Sequence, residues 1–200
     1  MVSFLAMCPE DLSCYVYSEF LTVKCLMVLD SGFCCTTERQ QFLCLIGSLK
    51  CKVKARVGEQ KSEIEWVIRK RILIEYLVLI DEEIDVSLIA NKCINLIHLE
   101  TRDVFDTRFC DIIHRNPNLQ IIDLAQTHYL NAEFTRCLFK STCHQNLRAL
   151  RLCVDNTVTL QVITSIIKMC PNLGACEIRQ CGHPLKIFAF GQDWVGNFAC

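Results

Sequence analysis

Glycine and proline are scarce in this sequence, at 7 and 4 of its 200 residues, which excludes collagen-like and other low-complexity architectures. Long hydrophobic runs are missing too. Apolar runs such as residues 4–7, 25–29 and 76–80 fall far short of the roughly 20 residues that a membrane span needs, so no membrane association is expected. No excess of one charge sign exists: the formal net charge is −1, which gives no general field to hold nucleic acid or an acidic bilayer. Cys-x-x-Cys never occurs. The nearest metal-like group, Cys176, Cys181 and His183, lacks a fourth ligand, and neither a metal nor any other cofactor is expected. The amino end has no basic n-region and meets Pro9 and two acids at once, so it reads poorly as a secretory leader.

Hydrophobic residues make up 52% of the chain and charged residues 22%, which suits a folded protein of one domain or slightly more. Sixteen cysteines would suit a disulfide scaffold, but such scaffolds are usually shorter and poorer in other hydrophobes. Here they read as reduced, small, buried side chains of an intracellular protein, in the cytoplasm, with the nucleus also open.

The carboxyl half repeats itself. Cys93-Ile-Asn-Leu96-Ile-His-Leu99 recurs as Asn116-Pro-Asn-Leu119-Gln-Ile-Ile122-Asp-Leu124, then as His144-Gln-Asn-Leu147-Arg-Ala-Leu150-Arg-Leu152, and again as Cys170-Pro-Asn-Leu173-Gly-Ala-Cys176-Glu-Ile178. A weaker copy, Ile74-Glu-Tyr-Leu77-Val-Leu79, precedes them. The leading apolar positions 74, 96, 119, 147 and 173 are 22, 23, 28 and 26 residues apart, within the range of leucine-rich repeats. Helical patterns lie between. Asp106 and Asn131 are placed to cap two of them. Their inward faces are Phe109, Ile112 and Ile113; Phe134, Cys137 and Leu138; and Leu160, Ile163, Ile166 and Ile167. Pro117 and Pro171 stop the first and third of these helices. The unit is strand, loop, helix, turn. Stacking such units predicts an α/β solenoid with a curved parallel sheet and outer helices. A doubly wound sheet would need longer crossovers and usually a Gly-rich phosphate loop, and neither is visible.

Cys93 and Cys170 stand three residues before the first Leu of their repeats, and Cys181 three residues after Ile178. This resembles the cysteine-containing leucine-rich repeats typical of F-box proteins. The match is fullest in the repeat from Cys170; Val104, Thr127 and Asp155 hold the second cysteine position in the others.

Residues 8–48 carry apolar side chains at 12, 16, 20, 23, 26 and 29, a helical cadence. Pro9, Leu12, Phe20-Leu21 and Leu26-x-x-Leu29 also resemble an F-box, with Cys25 standing where that family usually has Asp. The resemblance implies docking on the Skp-type adaptor of a cullin-RING ubiquitin ligase through Pro9, Leu12, Val16, Leu21 and Leu26. The alternative is a plain helical cap that closes the solenoid. A helix continues from Glu38 to Gly47 with Phe42, Leu45 and Ile46 inward. Lys50, Lys52, Lys54 and Arg56 then alternate with Cys51, Val53, Ala55 and Val57, as in a half-buried strand with a basic outer face. Lysines commonly protect strand edges, and no aromatic residues are interleaved to stack bases, so nucleic acid is not expected as a partner. Ser62-Glu-Ile-Glu65 reads as a capping box, opening a helix with Ile64, Val67 and Ile68 inward and Trp66 flanking them.

No catalytic motif emerges. Cys143-His144 is adjacent in sequence but has no orienting third group, no Gly-x-Ser-x-Gly or phosphate loop is present, and Asp81, Glu82, Glu83 and Asp85 read as a solvated loop. The expected function is non-catalytic binding. Alternate residues of the repeat strands should face out along the concave sheet. Tyr76, His98, Ile121, Ala149 and Ala175 form one row, Val78, Glu100, Asp123, Arg151 and Glu177 a second, and Ile80, Arg102, Ala125, Cys153 and Arg179 a third. Among these, Tyr76, Val78, His98, Glu100, Arg102, Ile121, Asp123, Arg151, Glu177 and Arg179 are the expected contacts for a protein partner. The reading is thus an F-box-like helical region over 1–48, a strand-plus-helix connector over 49–73, and about four to five leucine-rich repeats over 74–200. Residues 191–200 keep no repeat register and read as a degenerate end or a truncation. The substrate-recognition subunit of a ubiquitin ligase is the leading function, and a leucine-rich-repeat scaffold without a ligase role is the alternative.

Overall fold

The computed structural model describes residues 8–48, 51–57, 61–80, 85–102, 109–126, 132–154, 159–180 and 186–189. The architecture is α/β, with parallel strands flanked by helices. The chain divides into two compact units, Met1–Leu77 and Val78–Cys200.

In the first unit, helix α1 spans Glu10–Glu19, and its two leading acids favour the positive end of the helix dipole. Its buried residues are Ser13, Cys14 and Tyr17, not the Leu12, Val16 and Phe20 face that the sequence cadence suggests. Leu12 and Phe20 are 50% and 67% exposed. Tyr17 takes the core position instead, edge-on to Phe42 with ring centroids 5.4 Å apart. The chain then breaks at residues 20–22. Helix α2, Val23–Gly32, restarts behind Thr22, whose Oγ1 accepts the Cys25 N–H at 3.2 Å. Helix α3, Thr36–Ile46, buries Phe42 and Ile46 and leaves Leu45 half-buried.

Strand β1, Lys52–Val57, pairs in parallel with β2, Leu73–Leu79. Cys51 and Val53 point inward and Lys52 outward, as the alternation requires; Lys50 and the side chains of Lys54 and Arg56 lie outside the described residues. Helix α4 runs over Lys61–Lys70. Ser62 lies within its first turn rather than ahead of it, so the expected capping box is not formed. Trp66 is buried, not flanking: its Nε1–H donates to Asp30 Oδ2 at 3.1 Å. Asp30 also pairs with Arg39 at 2.6 Å and Lys70 at 3.3 Å, tying α2, α3 and α4 together. At the end of α4 the Arg71 and Ile72 N–H groups return to the Ile68 and Val67 carbonyls. Arg71 sits at φ 57°, the left-handed position usually given to Gly.

The second unit opens with α5, Val86–Lys92, which no sequence pattern announced. Asp85 caps it, accepting the N–H groups of Ser87 and Leu88. Strands and helices then alternate: β3 His98–Arg102, α6 Phe109–Arg115, β4 Ile121–Gln126, α7 Ala132–Lys140, β5 Ala149–Val154, α8 Leu160–Met169 and β6 Ala175–Gln180. A 3₁₀ turn, Thr142–Gln145, follows α7. Strands β3 to β6 pair in parallel in chain order. A last strand, β7, Lys186–Ala189, is antiparallel to β6, so the sheet departs from the expected all-parallel pattern at that edge.

Inward rows meet in register: Leu99, Ile122, Leu150 and Cys176, then Leu124, Leu152 and Ile178. Phe109, Ile112 and Ile113 of α6, Phe134, Cys137 and Leu138 of α7, and Ile163 and Ile166 of α8 are buried as the period demands; Ile167 is half-buried. Helices α6 and α8 end two residues before Pro117 and Pro171, because the residue before proline is pushed out of helical geometry. Asp106, Asn131 and the side chain of Leu160 lie outside the described residues.

Periodicity extends to the polar groups of the turns. The Ile97 carbonyl accepts the N–H groups of Gln120 and Ile121, the Gln120 carbonyl those of Arg148 and Ala149, and the Arg148 carbonyl those of Gly174 and Ala175. Likewise Asn146 Nδ2 donates to the Pro117 carbonyl at 3.0 Å, and Asn172 Nδ2 to the Gln145 carbonyl at 2.6 Å. Asn116 is buried and fully used: its amide donates to the Cys93 and Ile112 carbonyls, and its Oδ1 accepts the Leu96 N–H.

Candidate functional site

On β3 to β6 the side chains between the buried rows face out, as strand geometry requires. His98, Ile121, Ala149 and Ala175 stand in register as one row, and Glu100, Asp123, Arg151 and Glu177 as the next. The third expected row holds only between Cys153 and Arg179. Arg102 is opposite Gln126 rather than Ala125, because the β3–β4 ladder slips by one residue after Glu100.

The charged row is an ion-pair ladder. Arg102 and Glu100 meet at 2.8 Å along β3, and Arg179 and Glu177 at 2.6 Å along β6. Arg151 spans strands, 2.9 Å from Asp123 and 3.7 Å from Glu177. The Asp123 hydrogen bond, with the Asp123 charge and then that of Glu177, raises the Arg151 pKa further above its ordinary value. His98 Nε2 lies 4.0 Å from Glu100. The carboxylates are sunk, with 12%, 18% and 17% of the Glu100, Asp123 and Glu177 side chains exposed, against 36%, 58% and 47% for Arg102, Arg151 and Arg179. The outermost layer is therefore guanidinium, laid over carboxylate, beside a row of small and aliphatic side chains.

Strand β2 does not continue this pattern. Tyr76 is half-buried, but Val78 is buried at 1% exposure, and Ile74, Glu75, Leu77 and Leu79 are buried as well. Both faces of β2 are covered, so Val78 is not the surface contact that the strand phase predicted.

The helical unit presents a different surface. Pro9 and Leu12 are exposed, Val16 and Leu21 half-buried, and Leu26 fully buried at 0%. Four of the five expected adaptor contacts are accessible; Leu26 belongs to the core of its own unit, because it lies on the inward face of α2 with Val23 and Asp30. The sequence cadence missed Tyr15, at 55% exposure, whose ring meets Phe20 edge-on at 5.6 Å. Val28 is 65% exposed. A cleft of about 390 Å³ opens where α1 and α3 approach, lined by Cys8, Glu10, Ser13, Gln41, Cys44 and Leu45 among others.

Fourteen described cysteines are free thiols. Seven are buried, and burial pushes Cys51, Cys93 and Cys170 up to about 12 and Cys176 to about 11, which leaves them protonated and unreactive. Cys25, Cys34, Cys35 and Cys44 are exposed, contrary to the expectation of a mostly buried set. The Glu38 and Thr37 N–H groups at the start of α3 pull Cys35 below its ordinary value. Cys143 is buried, with its pKa raised by burial, while the His144 ring contacts the Ser141 carbonyl.

Among the described residues no three His, Cys, Asp or Glu side chains are grouped to hold a metal ion, and no helix is long and apolar enough to cross a membrane. Cys181, His183 and Asp81 to Glu83 lie outside the described residues. No protein-family model and no curated protein matches the chain.

Proposed function

We propose that this protein is a non-catalytic interaction module: a leucine-rich-repeat solenoid that holds a protein partner on its strand face, preceded by an F-box-like helical region. One observation carries the reading. Parallel sheets are normally covered on both faces, with near-continuous hydrophobic strands. Strands β3 to β6 instead alternate buried and accessible side chains, and the turns between them repeat one hydrogen-bond scheme at each step. An open parallel sheet face with periodic turns is what a one-sided repeat stack requires. The ion-pair ladder, three carboxylates against three guanidiniums and bordered by Ile121, Ala149 and Ala175, suits a protein surface better than a polyanion.

In this proposal the helical region docks on a Skp-type adaptor of a cullin-RING ligase, through Pro9, Leu12, Val16 and Leu21 together with Tyr15 and Phe20. The strand face selects the substrate. The setting is cytoplasmic or nuclear, where the thiols stay reduced. A scaffold that recruits no ligase is the second reading, favoured by the burial of Leu26.

Binding of purified adaptor, measured beside thermal stability, separates the two. Leu12→Asp should abolish binding at least ten-fold while the melting temperature holds, because the side chain is half exposed. Leu26→Asp should unfold the helical unit, since it buries an unpaired carboxylate at a cost of several kcal/mol. If the wild-type chain binds no adaptor, the ligase reading falls and the scaffold stands.

A further inference from the structure

The cleft of about 390 Å³ between helices α1 and α3 has the size of a small-molecule site, and the proposed partner contacts leave it unused. Two of its lining residues, Ser13 and Ser48, carry hydroxyls with nothing to bond. Ser13 is only 3% exposed, and neither its Oγ nor that of Ser48, both buried, has a hydrogen-bond partner among the described residues. Helical serines elsewhere satisfy themselves: Ser18, Ser31 and Ser165 each donate to the carbonyl four residues earlier, at 2.7, 2.9 and 2.8 Å. Ser13 does not, although the Pro9 carbonyl accepts its N–H at 3.0 Å. A buried hydroxyl left unbonded costs stability. A turn about χ1 is all that either serine needs to present a lone pair to the cleft.

Charge selects among ligands. Glu10 supplies a carboxylate, which only accepts hydrogen bonds, and Gln41 an amide that can accept as well. Among the described residues no Lys, Arg or His lines the cleft. The helix ends that reach it are unequally matched. Helix α1 begins with Glu10 and Asp11, which offset its positive end. The last turn of α3, where Leu45 lines the cleft, holds no basic residue to offset its negative end. Acceptors and partial negative charge thus prevail, and Leu45 adds apolar surface. We propose that this cleft is a binding site for a small organic cation, an ammonium or guanidinium group on a short apolar chain. The cation lies among Glu10, Gln41 and the Ser13 and Ser48 hydroxyls, and the apolar chain lies on Leu45. A ligand N–H donated to Ser13 or Ser48 supplies the partner that the fold withholds. The assignment holds whether or not α1 docks on an adaptor.

The full chain, labelled with nitrogen-15, is titrated with n-butylguanidinium chloride and followed by its amide shifts. Saturable shifts are expected within residues 8–13 and 41–48. Butyrate, an alkyl chain of opposite charge, should bind at least ten-fold more weakly. N-acetylarginine methylamide sets the same cation on a peptide backbone and should bind no more tightly, because α1 and α3 offer no strand edge to pair with it. Glu10→Gln should weaken butylguanidinium binding at least five-fold. Ser13→Ala should weaken it at least three-fold, with a melting temperature equal to wild type or higher, since it deletes an unbonded hydroxyl. No saturable shift in those segments, or butyrate binding as tightly, would overturn the proposal. So would ten-fold tighter binding of N-acetylarginine methylamide, which would assign the cleft to an arginine side chain of a protein. Ser13→Ala binding like wild type, or melting lower as loss of a structural hydroxyl requires, also refutes it.

Discussion

Replacing Asp30 by Asn removes a buried negative charge while keeping the shape of the side chain. Asp30 is 5% exposed and meets Arg39 Nε at 2.6 Å, Trp66 Nε1 at 3.1 Å and Lys70 Nζ at 3.3 Å. The Arg39 hydrogen bond, opposed by burial and assisted by Trp66 and Lys70, holds its pKa near 2 instead of the usual 3.8. A shift of this size corresponds to roughly 2.5 kcal/mol of preference for the charged form. Because the Arg39 side chain is 45% exposed and screened by water, on the order of 2 kcal/mol is expected in practice. The folded pKa is depressed, so this stability is fully present above about pH 4 and is lost as the pH falls through about 2. Denaturant melts followed by circular dichroism at pH 7, 4 and 2 measure it. Asp30→Asn should be less stable by about 2 kcal/mol at pH 7, and the gap from wild type should close toward pH 2. Asp30→Ala should lose about 1–3 kcal/mol more, because the buried Trp66 N–H then has no acceptor. A wild-type-minus-Asn difference that stays constant from pH 7 to pH 2 would refute the assignment of charge as the stabilising agent.

Leu150→Ala should cost about 2–5 kcal/mol, since it empties a fully buried position of β5. Arg151→Ala, with its side chain 58% exposed, should cost no more than about 1 kcal/mol and less in high salt; equal losses in denaturant melts would put the strand phase in error. Asn116→Ala should cost at least about 2 kcal/mol in the same assay, as it strands the Leu96 N–H and two carbonyls in the core. A thiol reagent should label Cys25, Cys34, Cys35 and Cys44 in the native chain and reach the seven buried cysteines only in denaturant; rapid native labelling of Cys93 or Cys170 would contradict their burial.

The repeat was legible because leucine at fixed spacing reports core rows directly: Leu99, Ile122, Leu150 and Cys176 meet in one register row. Helix stops were legible too, since Pro117 and Pro171 act by steric exclusion at a known offset. The face of α1 was not. Its apolar residues occur on more than one side, and Tyr17, amphipathic by chemistry, outcompeted Leu12 and Phe20 for the core through its packing on Phe42, a long-range contact that periodicity does not encode. Asp30 escaped notice for the same reason, because its partners lie 9, 36 and 40 residues away. The ion-pair ladder was half visible. The identity of the rows followed from strand alternation, but the slip after Glu100 depends on pairing geometry, and the depth of each carboxylate depends on neighbouring strands.

If the strand face holds a protein partner as proposed, that depth determines what it can recognise. If the carboxylates and guanidiniums were equally exposed, the face would be a patchwork of opposite charges, open to many polar surfaces. Sunk carboxylates instead fix Arg102, Arg151 and Arg179 in place, so the conformational entropy of three long side chains is lost on folding rather than on binding. Each guanidinium also keeps a donor beyond those spent on its ion pair. A partner that offers only positive charge meets guanidinium first and is repelled. A uniformly acidic partner gains those donors but also meets Glu100, Asp123 and Glu177 within the same layer. Such a face therefore favours a partner that places isolated acceptors over the arginines and apolar groups over Ile121, Ala149 and Ala175. On this reasoning specificity comes from the spacing of the ladder, set by the strand-to-strand distance of about 4.8 Å, rather than from net charge.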